Sequence, residues 1–143
     1  MTSAMFDLPV VDQDSAPWWA GTARHELLLQ RCDECAVSRW PARAICGRCG
    51  SLTWSWYTAS GHATVASWVV NRHRFSPTAP AVFTVVLARL SEQQDILIPA
   101  QWGGSADGTD LAMGLSVVVS FVDVDRKPDE PPLALLRWDR AAT

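Results

Sequence analysis

The four cysteines of the chain stand in two matched pairs, Cys32 with Cys35 and Cys46 with Cys49, each with two intervening residues. Such a turn presents two thiolates on one side of a tight loop, and two facing turns form the four-sulfur tetrahedron that zinc prefers. Disulfides fit less well, because this spacing is poor for a structural disulfide. A redox site needs one such pair rather than two. We therefore predict one zinc ion held by all four cysteines.

A cage of four cysteines leaves no coordination position for water or substrate, so this metal is predicted to be structural rather than catalytic. The chain has three histidines, His25, His62 and His73. No Gly-x-Ser-x-Gly elbow and no phosphate loop accompanies them. Nucleophilic catalysis needs a base and an orienting group, which the sequence does not visibly supply. We expect the chain not to be an enzyme by itself.

The best candidate for ligand contact is the run Arg72, His73, Arg74 and Phe75, which ends an apolar strand and enters a proline-containing loop. Two guanidinium groups can hold phosphates, and an aromatic ring can stack on a base. The alternative is a solvated strand end with Phe75 turned inward. Both interpretations stay open at this stage.

Composition limits the possible partners. The net charge of the 143 residues is −3, divided as +2 over residues 1–90 and −5 over residues 91–143. A nucleic-acid binder usually shows a clear basic excess. The longest apolar stretch, residues 115–122, contains two serines and is too short to cross a bilayer. With no signal peptide at the N-terminus, we expect a cytoplasmic protein whose reduced thiols bind metal.

A short helix is predicted from Ser15 to about Arg24, since Pro17 is tolerated in a first turn. Residues 1–13 lack periodicity and are expected to form an extended arm. Trp18 and Trp19 point about 100° apart on a helix, so one ring can enter the core while the other faces a partner. Gly47 and Gly50 are expected to fit the tight backbone around the paired thiolates.

Downstream, β-branched residues alternate with turn signals and predict a mainly β fold. A strand over residues 26–31 leads into a zinc ribbon, and Trp68 is expected to pack in the core of the later strands. We divide the chain into an N-terminal arm and helix (1–25), the ribbon (26–52) and a five-stranded OB-fold barrel (53–143), with a β-sandwich as the alternative. The later strands are predicted at residues 53–58, 64–72, 82–90, 95–102, 116–125 and 133–138.

The order and spacing of these features resemble the zinc-ribbon/OB-fold family of acyl-CoA-associated proteins over nearly the whole chain, with a rubredoxin-like ribbon. The matching segments are Pro17 to Trp19, Leu29 to Cys35, Trp40 to Arg43, Cys46 to Ser51, Ser60 with Gly61, Val65 to Trp68, Arg72 with His73, Gly114 with Val117, Val119 and Phe121, and Leu135 to Arg137. Members often carry a second glycine where this chain has His62 and Ala63, so that turn is expected to be tighter or shifted.

The resemblance implies a non-catalytic accessory subunit that binds a thiolase, a thiolase-like aldolase or a hydratase, in a heterotetramer. Such a subunit helps to form the acyl-CoA site at a shared interface, and some partners shorten steroid side chains. Arg72, His73, Arg74 and Phe75 are then the expected contacts to acyl-CoA. The alternative function is a single-stranded nucleic-acid binder that uses aromatic side chains and a basic groove on the barrel.

Overall fold

The computed structural model describes residues 8–142, so the first seven residues of the predicted arm lie outside the described residues. Helix α1 (Ala16–Ala23) carries Pro17 in its first turn, and the side chain of Asp12 accepts a hydrogen bond from the Ser15 amide at 2.7 Å. The predicted helix is thereby confirmed. Within residues 8–142 no helix is both long enough and apolar enough to span a membrane.

Three short strands form the ribbon sheet in the order β2-β1-β3: β1 (Leu28–Cys32), β2 (Ser38–Arg39) and β3 (Trp54–Thr58). The sequence did not predict β2, because two residues are too few to show an alternating pattern. β3 was expected to begin the barrel region. It instead pairs antiparallel with β1, from Leu28 opposite Thr58 to Cys32 opposite Trp54.

The remaining five strands close into a barrel, which confirms the predicted barrel and excludes the sandwich. Their order is β4-β5-β6-β8-β7, and every pair is antiparallel except β6 with β8. Closure leaves no free sheet edge, as in an OB-type Greek-key barrel. The strands are β4 (His62–Asn71), β5 (Phe83–Leu90), β6 (Leu97–Trp102), β7 (Ser116–Asp123) and β8 (Ala134–Arg140).

One hydrophobic core runs from the helix through the first strand into the barrel. Buried and partly exposed residues alternate along β5, as expected for a strand with one inward face. Trp138 is fully buried, and its indole Nε1 donates to the carbonyl of Ile98 at 3.0 Å. Trp68 is partly buried and packs against this core, as predicted. This shared core therefore joins the helix and the ribbon sheet to the barrel.

Polar contacts lock the ribbon and the helix to the barrel. The side-chain amide of Gln93, in the β5–β6 hairpin, accepts from the Ser38 amide at 2.9 Å and donates to the Ser38 carbonyl at 2.6 Å. Thr22 Oγ1 donates to the carbonyl of Trp19 at 2.8 Å and accepts from the amide of Ala134 at 3.1 Å. These contacts fix the position of ribbon and helix against the barrel wall.

Replacement of Thr22 by valine tests the helix–barrel junction. Thr22 is fully buried, so Thr22→Val keeps the shape but leaves the amide of Ala134 without its partner. We expect a loss of about 1–3 kcal/mol in the free energy of unfolding, measured by denaturant titration. The control Thr58→Val, at an exposed residue of β3, is expected to change stability little. Equal stability of the two variants would show that the Thr22 hydroxyl does not hold the junction.

Candidate metal centre and ligand groove

The four cysteine sulfurs converge on one point. All four Sγ atoms lie within 4.8 Å of one another, with Cys32 to Cys49 at 3.6 Å and Cys35 to Cys46 at 3.7 Å. A tetrahedron with zinc–sulfur bonds of about 2.3 Å has edges of about 3.8 Å, whereas a disulfide needs about 2.05 Å. All four thiols are free. The set is positioned to bind one metal ion, as predicted.

The two cysteine turns repeat one hydrogen-bonding pattern. In each, the amide of the first cysteine donates to the carbonyl five residues later at 2.9 Å, and the amide four residues later donates back at 2.9–3.0 Å. This geometry places Ala36 and Gly50 at equivalent positions, both left-handed, with φ of 63° and 78°. Gly47 does not have a positive φ. The expected need for glycine therefore holds at Gly50 and not at Gly47.

The turns also set the protonation of the thiols in the absence of metal. Hydrogen bonds from the backbone, first from the amide of Cys35, lower the pKa of Cys32. The amides of Cys49 and Arg48 lower the pKa of Cys46 to about 6. At Cys49 the Ser51 amide favours the thiolate, but the Cys32 sulfur and burial prevail and raise the pKa to about 12. The backbone amides of the two turns thus lower the pKa of Cys32 and Cys46, whereas the neighbouring sulfur and burial raise the pKa of Cys49.

The ribbon also positions one wall of a groove. Gln30 is almost fully buried, and its Oε1 accepts from Arg39 Nε at 2.7 Å and from the Arg43 amide at 2.9 Å. Arg39 in turn donates to the carbonyl of Arg43 at 2.8 Å. The segment 39–43 is held against β1 in this way, and Trp40 lies within it. The indole ring of Trp40 reaches the ring of Trp18, with centroids 5.8 Å apart.

An apolar groove of about 460 Å³ lies between this wall and the barrel. Trp18 and Trp19, whose rings meet edge to face at 6.4 Å, form the helical part of its lining. Both indoles line the groove, although Trp18 is buried and Trp19 is partly exposed. Gln101 and Arg137 are the polar residues of the lining. The other lining residues are Leu8, Trp40, Phe75, Phe83, Val85, Ile98, Pro99, Ala100, Val122, Val124, Leu135 and Leu136.

The run Arg72 to Phe75 follows β4 and meets this groove. Phe75 is 67% exposed yet belongs to the lining, so it stands at the groove mouth and is not turned inward. The ring of His73 meets it edge to face at 4.9 Å. All three basic residues of the run are exposed, and Arg74 braces the loop through a 3.1 Å bond to the carbonyl of Ala79.

Arg72 has an acidic neighbour. The pKa of Asp107 is lowered first by hydrogen bonds from Thr109 and to a smaller extent by the charge of Arg72.

The groove itself was not predicted from sequence. The sequence contains the three tryptophans of its aromatic wall, Trp18, Trp19 and Trp40, but only the fold brings them together.

The histidines do not form a catalytic arrangement. His25 Nε2 lies 2.8 Å from Asp123 Oδ1, with side chains 50% and 74% exposed, and its ring stacks on Phe121. His62 and His73 are exposed. Among the residues that the structure describes, no histidine ring bonds to a serine, threonine or cysteine side chain. The zinc site and the groove are the two features on which a function can be built.

Loss of one sulfur tests the metal centre. We expect the wild-type chain to contain one zinc ion, and Cys46→Ser to lose it, because three cysteines cannot close the cage. Structural zinc contributes on the order of 10 kcal/mol to folding, so thermal unfolding should shift strongly. Zinc content by mass spectrometry and a melt check this, with Gly47→Ala as the control beside the cage. Full zinc content in Cys46→Ser would contradict the assignment.

The equivalent positions 36 and 50 give a second test, of opposite sign. A side chain at residue 50 meets open space, so Gly50→Ala adds only backbone strain at a φ of 78° and should destabilise the ribbon by about 1 kcal/mol. Ala36→Gly removes such strain and should stabilise it, by less because glycine gains entropy when unfolded. Chelator-induced unfolding measures both. Effects of the same sign would refute the equivalence of the turns.

Comparisons with known proteins agree with this architecture. Residues 19–55 match the family model described as ChsH2, rubredoxin-like zinc ribbon domain. The chain is 29% identical over 117 residues to a probable enoyl-CoA hydratase alpha subunit of Thermomonospora curvata, covering 82% of this chain and 36% of that protein. It is 27% identical over 131 residues to the 3-oxo-4,17-pregnadiene-20-carboxyl-CoA hydratase alpha subunit of Mycobacterium tuberculosis, covering 92% and 39%. The chain thus spans less than half the length of these two relatives.

Solved structures extend the likeness to the barrel. A chain of the Ltp2-ChsH2(DUF35) aldolase superposes with a TM-score of 0.79 at 27% identity, covering 94% of this chain and all of the other. A protein of unknown function from the DUF35 family of Sulfolobus solfataricus shares the fold, with a TM-score of 0.63 at 14% identity and coverage of 90% and 86%. The chain is therefore similar to DUF35 proteins of known structure over nearly its whole length, and its residues 19–55 match the ChsH2 rubredoxin-like zinc ribbon domain.

Proposed function

We propose that this chain is a non-catalytic subunit of a cytoplasmic acyl-CoA-processing complex, partnered with a thiolase or thiolase-like aldolase in a heterotetramer, and that it supplies part of the acyl-CoA site. The observation that carries the proposal is the continuity of an apolar aromatic groove with the exposed basic run Arg72 to Phe75. A CoA thioester has the matching chemistry, because it joins an apolar acyl group to a phosphorylated nucleotide.

The groove suits the acyl end of such a ligand. Its volume of about 460 Å³ falls within the range of about 300–1,000 Å³ that is usual for small-molecule sites. Its walls come from indole rings on one side and barrel side chains on the other. Each Å² of apolar ligand surface buried there contributes about 25 cal/mol. Flat aromatic walls suit a polycyclic acyl group, such as one derived from a steroid, as well as a linear one.

The basic run suits the nucleotide end. Arg72 and Arg74 are exposed where β4 ends, beside the groove mouth that Phe75 marks. Guanidinium groups bind phosphate oxygens through paired hydrogen bonds. Arg74 already donates a hydrogen bond to the carbonyl of Ala79 in its own loop, so a phosphate must compete with that contact. We therefore assign to these arginines a supporting share of the affinity, with the groove and Phe75 contributing more.

Catalysis is assigned to the partner. The metal cage has no open position, and the only histidine hydrogen-bonded to a carboxylate among the described residues is His25, whose contact with Asp123 is exposed. The names of the curated relatives refer to hydratase subunits, yet most of each relative lies outside the region that this chain matches. Their activity can reside in that remainder. A subunit that shapes the acyl-CoA site needs no catalytic group of its own.

Binding of octanoyl-CoA to the complex tests the proposal. The chain is co-expressed with the thiolase-like subunits encoded in the same genome, and the co-purified complex is titrated by calorimetry. Phe75→Ala should weaken binding about 10-fold, the loss expected for one stacking aromatic. Arg72→Gln should weaken binding of octanoyl-CoA and of free CoA alike, by a few-fold, since it acts on the phosphates.

The control is Met113→Ala, which removes an equally exposed apolar side chain outside the groove lining. Unchanged affinity in both Phe75→Ala and Arg72→Gln would refute the ligand assignment. If no thiolase-like subunit co-purifies, and the chain instead binds single-stranded DNA with strong salt dependence, the nucleic-acid alternative replaces this function.

A further inference from the structure

The apolar groove contains two polar side chains that lie side by side. Of the described residues that line it, only Gln101 on β6 and Arg137 on β8 carry an amide or a charged group. They are direct partners in the parallel β6–β8 pairing, so both side chains project from the same face of the sheet. We call them the polar pair. A few polar groups in an apolar site orient a ligand and determine which ligands fit.

Arg137 is held in place by its neighbours. Its Nε donates to Ser120 Oγ at 3.1 Å and lies 3.0 Å from Asp139 Oδ1, and its Nη2 donates to Asp139 Oδ2 at 3.2 Å. A Cβ at Gly103 would overlap that carboxylate, so glycine at this position leaves room for it. These contacts use one edge of the guanidinium, and no described residue accepts a hydrogen bond from Nη1. Arg137 thus keeps one free donor on a group whose charge Asp139 balances.

Gln101 can both donate and accept. Among residues 8–142, none forms a hydrogen bond with its side-chain amide, which offers two N–H donors and an oxygen acceptor. The residue is partly buried. A hydrocarbon laid over this amide would remove it from water without replacing its hydrogen bonds, which lowers affinity. A ligand oxygen placed beside the amide restores one of those bonds.

Apolar residues lie on both sides of the polar pair along the strands. Val85 of β5 is directly opposite Gln101, and Phe83, two residues earlier on β5, lies on one side of the pair. Pro99 of β6 and Leu135 of β8, each two residues before a member of the pair, lie on the other side and face the same way. A ligand along this path therefore meets hydrogen-bonding side chains at one point, and an unsubstituted acyl chain has no group to place there.

We infer that the polar pair selects acyl groups that carry a neutral oxygen, a ketone or a hydroxyl, where the chain crosses Gln101 and Arg137. The inference rests on the proposed function, because it specifies the ligand of the same groove. A ketone oxygen accepts from the Gln101 amide and from Arg137 Nη1, and a hydroxyl can also donate to the amide oxygen. An acyl chain that ends in a carboxylate fits less well, since Asp139 already balances the guanidinium charge.

The test compares octanoyl-CoA with its isomers that carry one ketone in the distal half of the acyl chain, titrated by calorimetry into the co-purified complex. We expect at least one ketone isomer to bind about 5-fold more tightly than octanoyl-CoA, the effect of one neutral hydrogen bond. Gln101→Met keeps the side-chain length and removes the amide, so this preference should disappear while octanoyl-CoA still binds. Arg137→Lys keeps the charge but loses the guanidinium fork, and should also reduce the preference.

The matched control is Gln94→Met, because Gln94 is exposed in the β5–β6 hairpin and outside the groove lining. It should keep the ketone preference. Retained preference in Gln101→Met or in Arg137→Lys would overturn the inference. Equal weakening of free CoA, octanoyl-CoA and the ketone isomers in Gln101→Met would overturn it as well, since the amide would then serve the pantetheine arm of CoA.

The outcome for the wild-type complex separates this inference from the proposed function. If the complex binds octanoyl-CoA and shows no preference for any ketone isomer, the inference about the polar pair fails alone. If the complex binds none of these acyl-CoA ligands, the proposed function fails with it. Binding of octanoyl-CoA by Gln101→Met also shows that the variant is folded, and if that variant does not fold, the ketone preference of Arg137→Lys decides the result.

Discussion

Four thiolates around one metal ion hold in place a ribbon that has little apolar interior of its own. Its sheet has three strands, one of only two residues, and most of the second cysteine turn is exposed. Small modules of this kind commonly depend on metal binding for their folding free energy. The cage fixes the C-terminal end of β1 at Cys32, and Gln30 of the same strand holds the segment that carries Trp40. The groove wall therefore depends on the metal, although no groove residue is a ligand.

The groove exists only where three elements meet. Trp18 and Trp19 come from the helix, Trp40 from the ribbon, and the opposite wall from the barrel. Thr22 and Gln93 set the distances between these elements by buried and partly buried hydrogen bonds. Because each element contributes one wall, the cavity is sensitive to the junctions as much as to its own lining. Structural roles and the proposed ligand-binding role thus fall on different residues of one small chain.

Sequence was informative where the physics is local. The cysteine spacing identifies the metal centre because ligand geometry is fixed by a few bonds, and Pro17 marks the helix start for the same reason. Strand positions followed from β-branched residues and turns, with ends shifted by at most two residues. The two-residue strand β2 was not predicted because it is too short to show an alternating pattern. β3 was grouped with the barrel because its pairing with β1 depends on residues distant in sequence.

The groove could not be predicted, since its lining runs from Leu8 to Arg137 and is assembled by barrel closure. For Phe75 the sequence left two orientations open, and only the fold shows the ring exposed at the groove mouth. The expected contacts Arg72, His73 and Arg74 lie beside that mouth, and their role in ligand binding stays a prediction. Nonlocal packing thus decides the candidate ligand site, whereas local chemistry decides the metal site.

We propose that this chain forms part of an acyl-CoA site that serves a partner enzyme. Photolabelling measures this most directly: the intact complex is loaded with an acyl-CoA that carries a diazirine on the acyl chain, irradiated, digested and mapped by mass spectrometry. We expect label on this chain at the groove residues Trp18, Trp40, Phe75 or Ile98, suppressed by excess octanoyl-CoA. Label confined to the partner subunit, with none on this chain, would contradict it.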